Sequence, residues 1–168
     1  DWKNGIFERT THLIFCDLGT PKYTNNDNIF DVYSEIKRKL IKKGVPEHEI
    51  AFIHDANTDI KKNQLFSDFR SGKIRILIGS TSKCGEGCNI QNRLKSMYHL
   101  DCPWRPADLI QREGRILRMG NMNKEVKIYR YATKGTFDGF CWQTVETKGK
   151  FIAQIMSGDF KGREVKMT

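Results

Sequence analysis

The sequence has no apolar run of membrane-crossing length and no signal-like segment, so neither a helical membrane protein nor a secreted one is expected. It has no internal repeat and no low-complexity tract, so no repeat architecture is expected. Cysteine does not follow a disulfide pattern. There are five, Cys16, Cys84, Cys88, Cys102 and Cys141, and Cys16 and Cys102 lie in or beside apolar runs. Reduced thiols in a cytoplasmic protein are the expectation. A phosphate-binding loop of the Walker A type is also missing. GKIR (72–75) and GKFI (149–152) lack both the upstream glycine spacing and the following Ser or Thr. No Asp-Glu box for Mg²⁺ follows a strand-like run. This chain is therefore not expected to hold a nucleoside triphosphate by itself in the usual way. Acidic residues are outnumbered, 20 against 29 Lys and Arg, and the net charge of +9 favours an acidic partner, nucleic acid first. The 168 residues suffice for one domain, and a chain beginning at Asp1 reads as a piece of something longer.

What is present alternates short apolar runs with longer amphipathic ones. Segments 12–17, 49–54, 73–80, 94–101 and 125–133 have strand length and character. Between the first two, Ile29, Tyr33, Ile36 and Leu40 recur at helical spacing until Gly44 and Pro46 stop them. Thr58 is positioned to cap a helix carrying Leu65, Phe66 and Phe69. Pro106 and Asp108 suit the first turn of another, and Thr136 opens a long helix running to Met156. Residues 1–160 form one domain in this reading, and 161–168 form a frayed tail. The alternation predicts an α/β fold with a mostly parallel central sheet flanked by helices. Ligands of such sheets gather beyond the carboxyl ends of the strands. The loops beginning at Asp17, Ser80 and Asp101 are then the informative ones.

Two of these regions carry chemistry. STSKCGEGCN (80–89) offers the hydroxyls of Ser80, Thr81 and Ser82 and the close backbone approach of Gly85 and Gly87, a seat for phosphate oxygens or an ordinary glycine-rich turn. QREGRILRMG (111–120) places three arginines in seven positions. On a helical wheel Gln111, Arg115 and Arg118 share one stripe at i, i+4, i+7, while Leu109, Ile110, Ile116 and Leu117 gather opposite and are expected to face the sheet. Guanidiniums reaching the same way suit bidentate contacts to phosphate. Arg112 falls outside the stripe and reads as a structural ion pair. Glu113 falls on the apolar side, so either it has a buried partner, an arginine for example, or the helix bends or ends near Gly114.

LIFCDLGT (13–20), ILIGSTSKCGEGCN (76–89) and QREGRILRMG together resemble motifs IV, V and VI of superfamily 2 helicases and translocases, in the right order and spacing over nearly the whole chain. The segment 101–121 is most similar to the Swi/Snf-type branch and to helicase modules of large DNA methylase–helicase proteins of phages and conjugative elements. The resemblance implies the second RecA-like lobe, a three-layer sandwich. It implies ATP with Mg²⁺ as cofactor, with the Mg²⁺ ligands in an N-terminal RecA-like lobe of the same parent chain. DNA is implied as the track ahead of RNA, and no membrane or second copy is called for. It makes Arg115 and Arg118 arginine fingers and sets Gln111 near the γ-phosphate. Gly87 and Asn89 are implied as nucleotide-side contacts coupled to motif VI. Gly19, Thr20, Ser80, Thr81 and Lys83 are implied on the nucleic-acid side. Cys88 departs from the family's usual aliphatic residue, and Lys62 stands where many relatives carry arginine.

Blander readings stand beside these. The chain fits a non-catalytic nucleic-acid-binding or scaffolding module of a DNA-modification protein. Cys84, Cys88, His99 and Cys102 imitate a zinc knuckle, although His99 and Cys102 flank what reads as a buried strand end. Trp104 and Trp142 read as packing or interface residues, and the Lys37–Lys43 cations as a solvated helix face.

Overall fold

The apolar runs become five short strands, and every neighbouring pair is parallel. The structure, a computed structural model, describes residues 9–21, 30–84 and 88–158. Among these, β1 (Thr11–Phe15), β2 (Ile50–Phe52), β3 (Ile76–Gly79), β4 (Leu94–His99) and β5 (Lys127–Arg130) lie in the order β2-β3-β1-β4-β5. They alternate with α1 (Val32–Lys42), α2 (Asp59–Ser71), the single turn α3 (Thr81–Cys84), α4 (Pro106–Glu113) and α5 (Phe137–Ser157). The central strands are buried on both faces, as parallel sheets require, and so read as continuous apolar runs.

Side-chain alternation divides the core. Leu13, Phe15, Leu77 and Met97 point to one face, where Phe66 and Phe69 of α2 cover them. Ile14, Cys16, Ile76 and Ile78 point to the other, under Tyr33, Ile36 and Leu40 of α1. The α5 helix joins the α2 side. Its Trp142 packs with Leu109 of α4 and meets His99 edge-on at 6.0 Å, and His99 stacks on Phe15 at 5.8 Å.

The helix signals act where the sequence placed them. Thr58 accepts from the Lys61 amide and Thr136 from the Asp138 amide. After α1 the chain leaves through Gly44 at φ 93°, and the Gly44 and Val45 amides return to the Ile41 and Leu40 carbonyls. Asp31, not predicted as a cap, accepts from the Tyr33 and Ser34 amides. The expected start of α1 near Ile29 and the tail at 161–168 lie outside the described residues. Among the α1 cations, Lys37 pairs with Glu47 at 2.9 Å and Arg38 with Glu35 at 2.7 Å, both exposed enough to contribute little.

His12, inside β1, ties stability to pH. Burial first, and Arg75 second, lower its pKa from 6.5 to about 4. At pH 7 it is neutral folded and unfolded. As pH falls through 6.5 the unfolded chain takes up a proton that the folded chain refuses until about 4. Stability is therefore lost across that window, by roughly 2 kcal/mol at about pH 5. Burial lowers His54 and His99 as well, with the same sign. Thermal melts of His12→Gln should show a flatter acid slope than the parent; an identical slope would remove His12 from this account.

Candidate functional site

The strand register sets Phe15 against both Gly79 and His99, so three loops leave the sheet side by side at its carboxyl edge. They are held together by one buried arginine. Asp17 accepts the Thr81 amide at 2.6 Å and the Thr81 hydroxyl at 2.8 Å. Asp101 accepts the Leu18 amide at 2.8 Å and also the Asp17 amide. Arg112 enters from α4 and closes the set. Its Nε donates to Thr81 Oγ1 at 2.7 Å, and Nη2 to Asp17 at 2.6 Å and Asp101 at 3.1 Å. Its Nη1 reaches the Asp101 carbonyl at 3.1 Å, and its plane lies 4.9 Å from the Phe15 ring centre. Arg112 is 1% exposed. Burial works against ionised Asp17, but the Thr81 amide and hydroxyl and the Arg112 guanidinium outweigh it and hold its pKa below the ordinary value.

The structural ion pair expected at Arg112 is present, and it is a buried clasp. The available signal was spacing, because 109, 112 and 116 fall at i, i+3, i+7, and Leu109 and Ile116 are also buried. The wheel set the buried side on the wrong face, since that side centres on Arg112, and α4 itself ends at Glu113. Beyond it the Arg115 and Ile116 amides bond three residues back, to the Arg112 and Glu113 carbonyls. Ile110 and Leu117, expected on the sheet side, are 70% and 64% exposed, while Arg115 is buried.

Glu113 stands at the helix end, the second alternative, and its arginine partner is exposed rather than buried. Arg130 of β5 donates to it through Nε at 3.0 Å and Nη2 at 2.7 Å, and to Glu146 of α5 at 2.9 Å. Between Arg112 and Glu113 stands His99, fully buried. A guanidinium can only donate, so Nη1 of Arg112, 3.3 Å from Nδ1, makes that nitrogen the acceptor and leaves the proton on Nε2. Nε2 faces Glu113 at 3.5 Å, an electrostatic contact rather than a well-formed hydrogen bond. Burial is the largest influence on His99 and keeps it neutral, with Arg112 reinforcing this and Glu113 opposing it.

Above the clasp opens a cleft of about 750 Å³. Thr20, Ser80, Thr81, Lys83 and Gln111, five of the predicted site residues, line it. His54, Lys62, Ser82 and Arg105 also line it and extend the predicted set. Ser80 is buried against Ser82 at 3.1 Å and His54 at 3.4 Å. Gly19 does not line the cleft but makes its turn. It sits at φ 72°, and a Cβ there would come within 2.8 Å of Val32. Three cations, Lys62, Lys83 and Arg105, face this space with the carboxylates of Asp17 and Asp108. Arg105 is paired to Asp108 at 3.0 Å.

The other predicted residues assemble separately. Arg118 donates to the Asn89 side chain at 2.7 Å, and Arg115 to the Cys88 carbonyl at 3.4 Å. Arg70 of α2 holds the Asn89 carbonyl at 3.0 Å. The end of the 76–89 segment is therefore held by Arg115 and Arg118. Gly87 lies outside the described residues. Gln111, expected beside these arginines, lines the cleft instead.

The zinc-knuckle alternative is not supported by this arrangement. His99 is engaged by Arg112, the Cys102 thiol points to the Pro103 carbonyl, and the described residues contain no group of three metal-ligating side chains. Burial raises the Cys84 and Cys88 thiols and takes Cys16 to about 12, so all three are packing residues. Trp142 is buried as expected and donates to the Tyr131 carbonyl at 2.9 Å, whereas Trp104 is 76% exposed.

Comparison with known proteins is consistent with this geometry. The family described as "Helicase conserved C-terminal domain" matches residues 11–120. "Defense against restriction protein B" of Escherichia phage P1 is 32% identical over 96 residues, 57% of this chain and 4% of that protein. The "Uncharacterized ATP-dependent helicase YqhH" of Bacillus subtilis (strain 168) is 43% identical over 77 residues, 46% of this chain and 13% of that protein. The chain thus spans only a small part of either relative. Among solved structures, S. cerevisiae Dbp5 bound to RNA and ADP BeF3 superposes with a TM-score of 0.58 at 20% identity, covering 84% of this chain and 33% of that one. At that identity the likeness shows the fold, a RecA-like α/β lobe.

Proposed function

The chain belongs to the helicase conserved C-terminal domain family, and from that premise we propose that it is the second motor lobe of an ATP-dependent DNA helicase or translocase. The nucleotide would lie between this lobe and an N-terminal RecA-like lobe supplying the phosphate loop and the Mg²⁺ ligands. The observation that carries the reading is that Arg118 and Arg115 hold two adjacent residues, Asn89 and Cys88, at the end of the 76–89 segment. The set fits a phosphate. Arg118 is exposed, and the described residues engage it at one nitrogen, Nη1, leaving its fork suited to oxygens of a second body. ATP, when bound, supplies the phosphoryl transfer that drives movement. This chain's part is to present fixed positive charge to the transferred group and to exchange that contact as the lobes open and close. The relative from Escherichia phage P1 supports a mobile-element setting for the parent.

The cleft lined by Thr20, Ser82, Lys62, Lys83 and Arg105 is read as the nucleic-acid side. Its contacts are backbone contacts, so binding is sequence-independent and salt-sensitive. Fluorescence anisotropy with single-stranded DNA should show log affinity falling linearly with log salt. Lys83→Ala should make that slope shallower by about 0.7, the value for one lost phosphate contact on a single strand. An unchanged slope would remove Lys83 from the track. The same titration with RNA asks which strand is preferred, and tighter RNA binding would overturn the assignment to DNA.

A further inference from the structure

We propose that Arg112, acting through Asp17, is a positioning residue for the nucleic-acid cleft, holding the three loops at the sheet's carboxyl edge in the one arrangement that presents cleft donors to a phosphate backbone. The inference rests on the nucleic-acid reading of the cleft but concerns residues that reading does not use.

The bonds show how the clasp works. Thr81 has two donors, its amide and its hydroxyl, and both are spent on Asp17. Its hydroxyl oxygen in turn accepts from Arg112 Nε. Thr81 is therefore an anchor for the loop it begins, and the groups left to meet a phosphate from that loop are those of Ser82 and Lys83, both exposed. Asp101 anchors the loop after β1 through the Asp17 and Leu18 amides. That loop carries Thr20 to the cleft wall. Arg112 neutralises both carboxylates with one nitrogen, so the two anchors depend on the same guanidinium. Being 1% exposed, Arg112 itself touches no ligand in the cleft. Its influence passes entirely through Asp17, Thr81 and Asp101.

This arrangement makes a prediction opposite in sign to simple electrostatics. Asp17 is a negative charge in the wall of a cleft for a polyanion, so Coulomb's law alone says that neutralising it tightens binding. If Asp17 positions Thr81, neutralising it releases the 80–84 loop and weakens binding. Asp17→Asn is the informative variant because the side chain is 38% exposed and isosteric replacement leaves Arg112 with Asp101. Arg112→Lys is the second: it keeps the charge and loses the planar fork that reaches Thr81 and the carboxylates together.

The test is anisotropy titration of a labelled oligothymidylate with the chain and with Asp17→Asn, Arg112→Lys and Lys83→Ala, at several salt concentrations, beside thermal melts. Both clasp variants should bind about tenfold more weakly, the scale of one lost charge-assisted hydrogen bond, with an unchanged salt slope because no phosphate contact is removed. A merely structural role would lower the melting temperature and leave the affinity of the folded protein alone. Equal or tighter binding by Asp17→Asn, or parent-like binding by Arg112→Lys, overturns the inference while a shallower slope in Lys83→Ala keeps the nucleic-acid reading. A parent chain without salt-dependent binding overturns both.

Discussion

Arg112→Ala is expected to destabilise the fold by about 3–5 kcal/mol, the cost of removing one partner from a buried ion pair. In a chain of this size that lowers the melting temperature by roughly 6–20 °C. The cost arises because Asp101, 7% exposed, and half-buried Asp17 lose the cation that neutralises both. Phe15 loses the guanidinium above its ring, and His99 loses the donor at Nδ1 that fixes its tautomer. Neighbouring Gln111→Ala, exposed on the same helix, provides the contrast and should stay within about 0.5 kcal/mol of the parent. Calorimetry of the pair decides the matter, since similar melting temperatures would mean that the clasp contributes no net stability.

Arg118→Ala, measured in the protein that carries both lobes, is expected to lower kcat for ATP hydrolysis roughly 10³-fold or more, the range for removing an arginine finger. Nucleotide affinity should change only a few-fold, because the contact matters most where charge spreads over the transferred group. Arg118→Lys should recover little of the rate, since an ammonium lacks the fork that meets two oxygens. Arg115→Ala should show the same kinetic loss and, being buried at 7% exposure, a stability loss as well. A kcat within a few-fold of the parent for Arg118→Ala would sink the finger assignment. The two arginines differ in their surroundings, and the melts separate that difference from the kinetics.

Much of this was legible before any coordinates. The strands were readable because a sheet buried on both faces leaves continuous apolar runs, and the helix stop at Gly44 because glycine suits the positive φ it adopts there. The loops at Asp17, Ser80 and Asp101 were readable from topology alone, and they converge as parallel sheets dictate. The interior of the 111–120 arginine cluster was not. The wheel put the buried side at the apolar Ile110 and Leu117, whereas Leu109, Arg112, Arg115 and Ile116 are the buried residues and α4 itself ends at Glu113. Spacing carried a signal for the burial of Arg112, but local pattern does not reveal its partners, which lie 11 and 95 residues away. Glu113 was recognised as out of place for the right reason, a carboxylate on an apolar side. Its partner Arg130 came from the neighbouring strand, which only the fold supplies.

The central claim is that this lobe serves a nucleotide held by another. It is tested most directly by the rate of ATP hydrolysis with Mg²⁺ and single-stranded DNA, measured for this chain alone and for the protein with both lobes. The account predicts no turnover above background from the chain alone and DNA-stimulated turnover from the two-lobe protein. DNA-stimulated hydrolysis by the chain alone would contradict it.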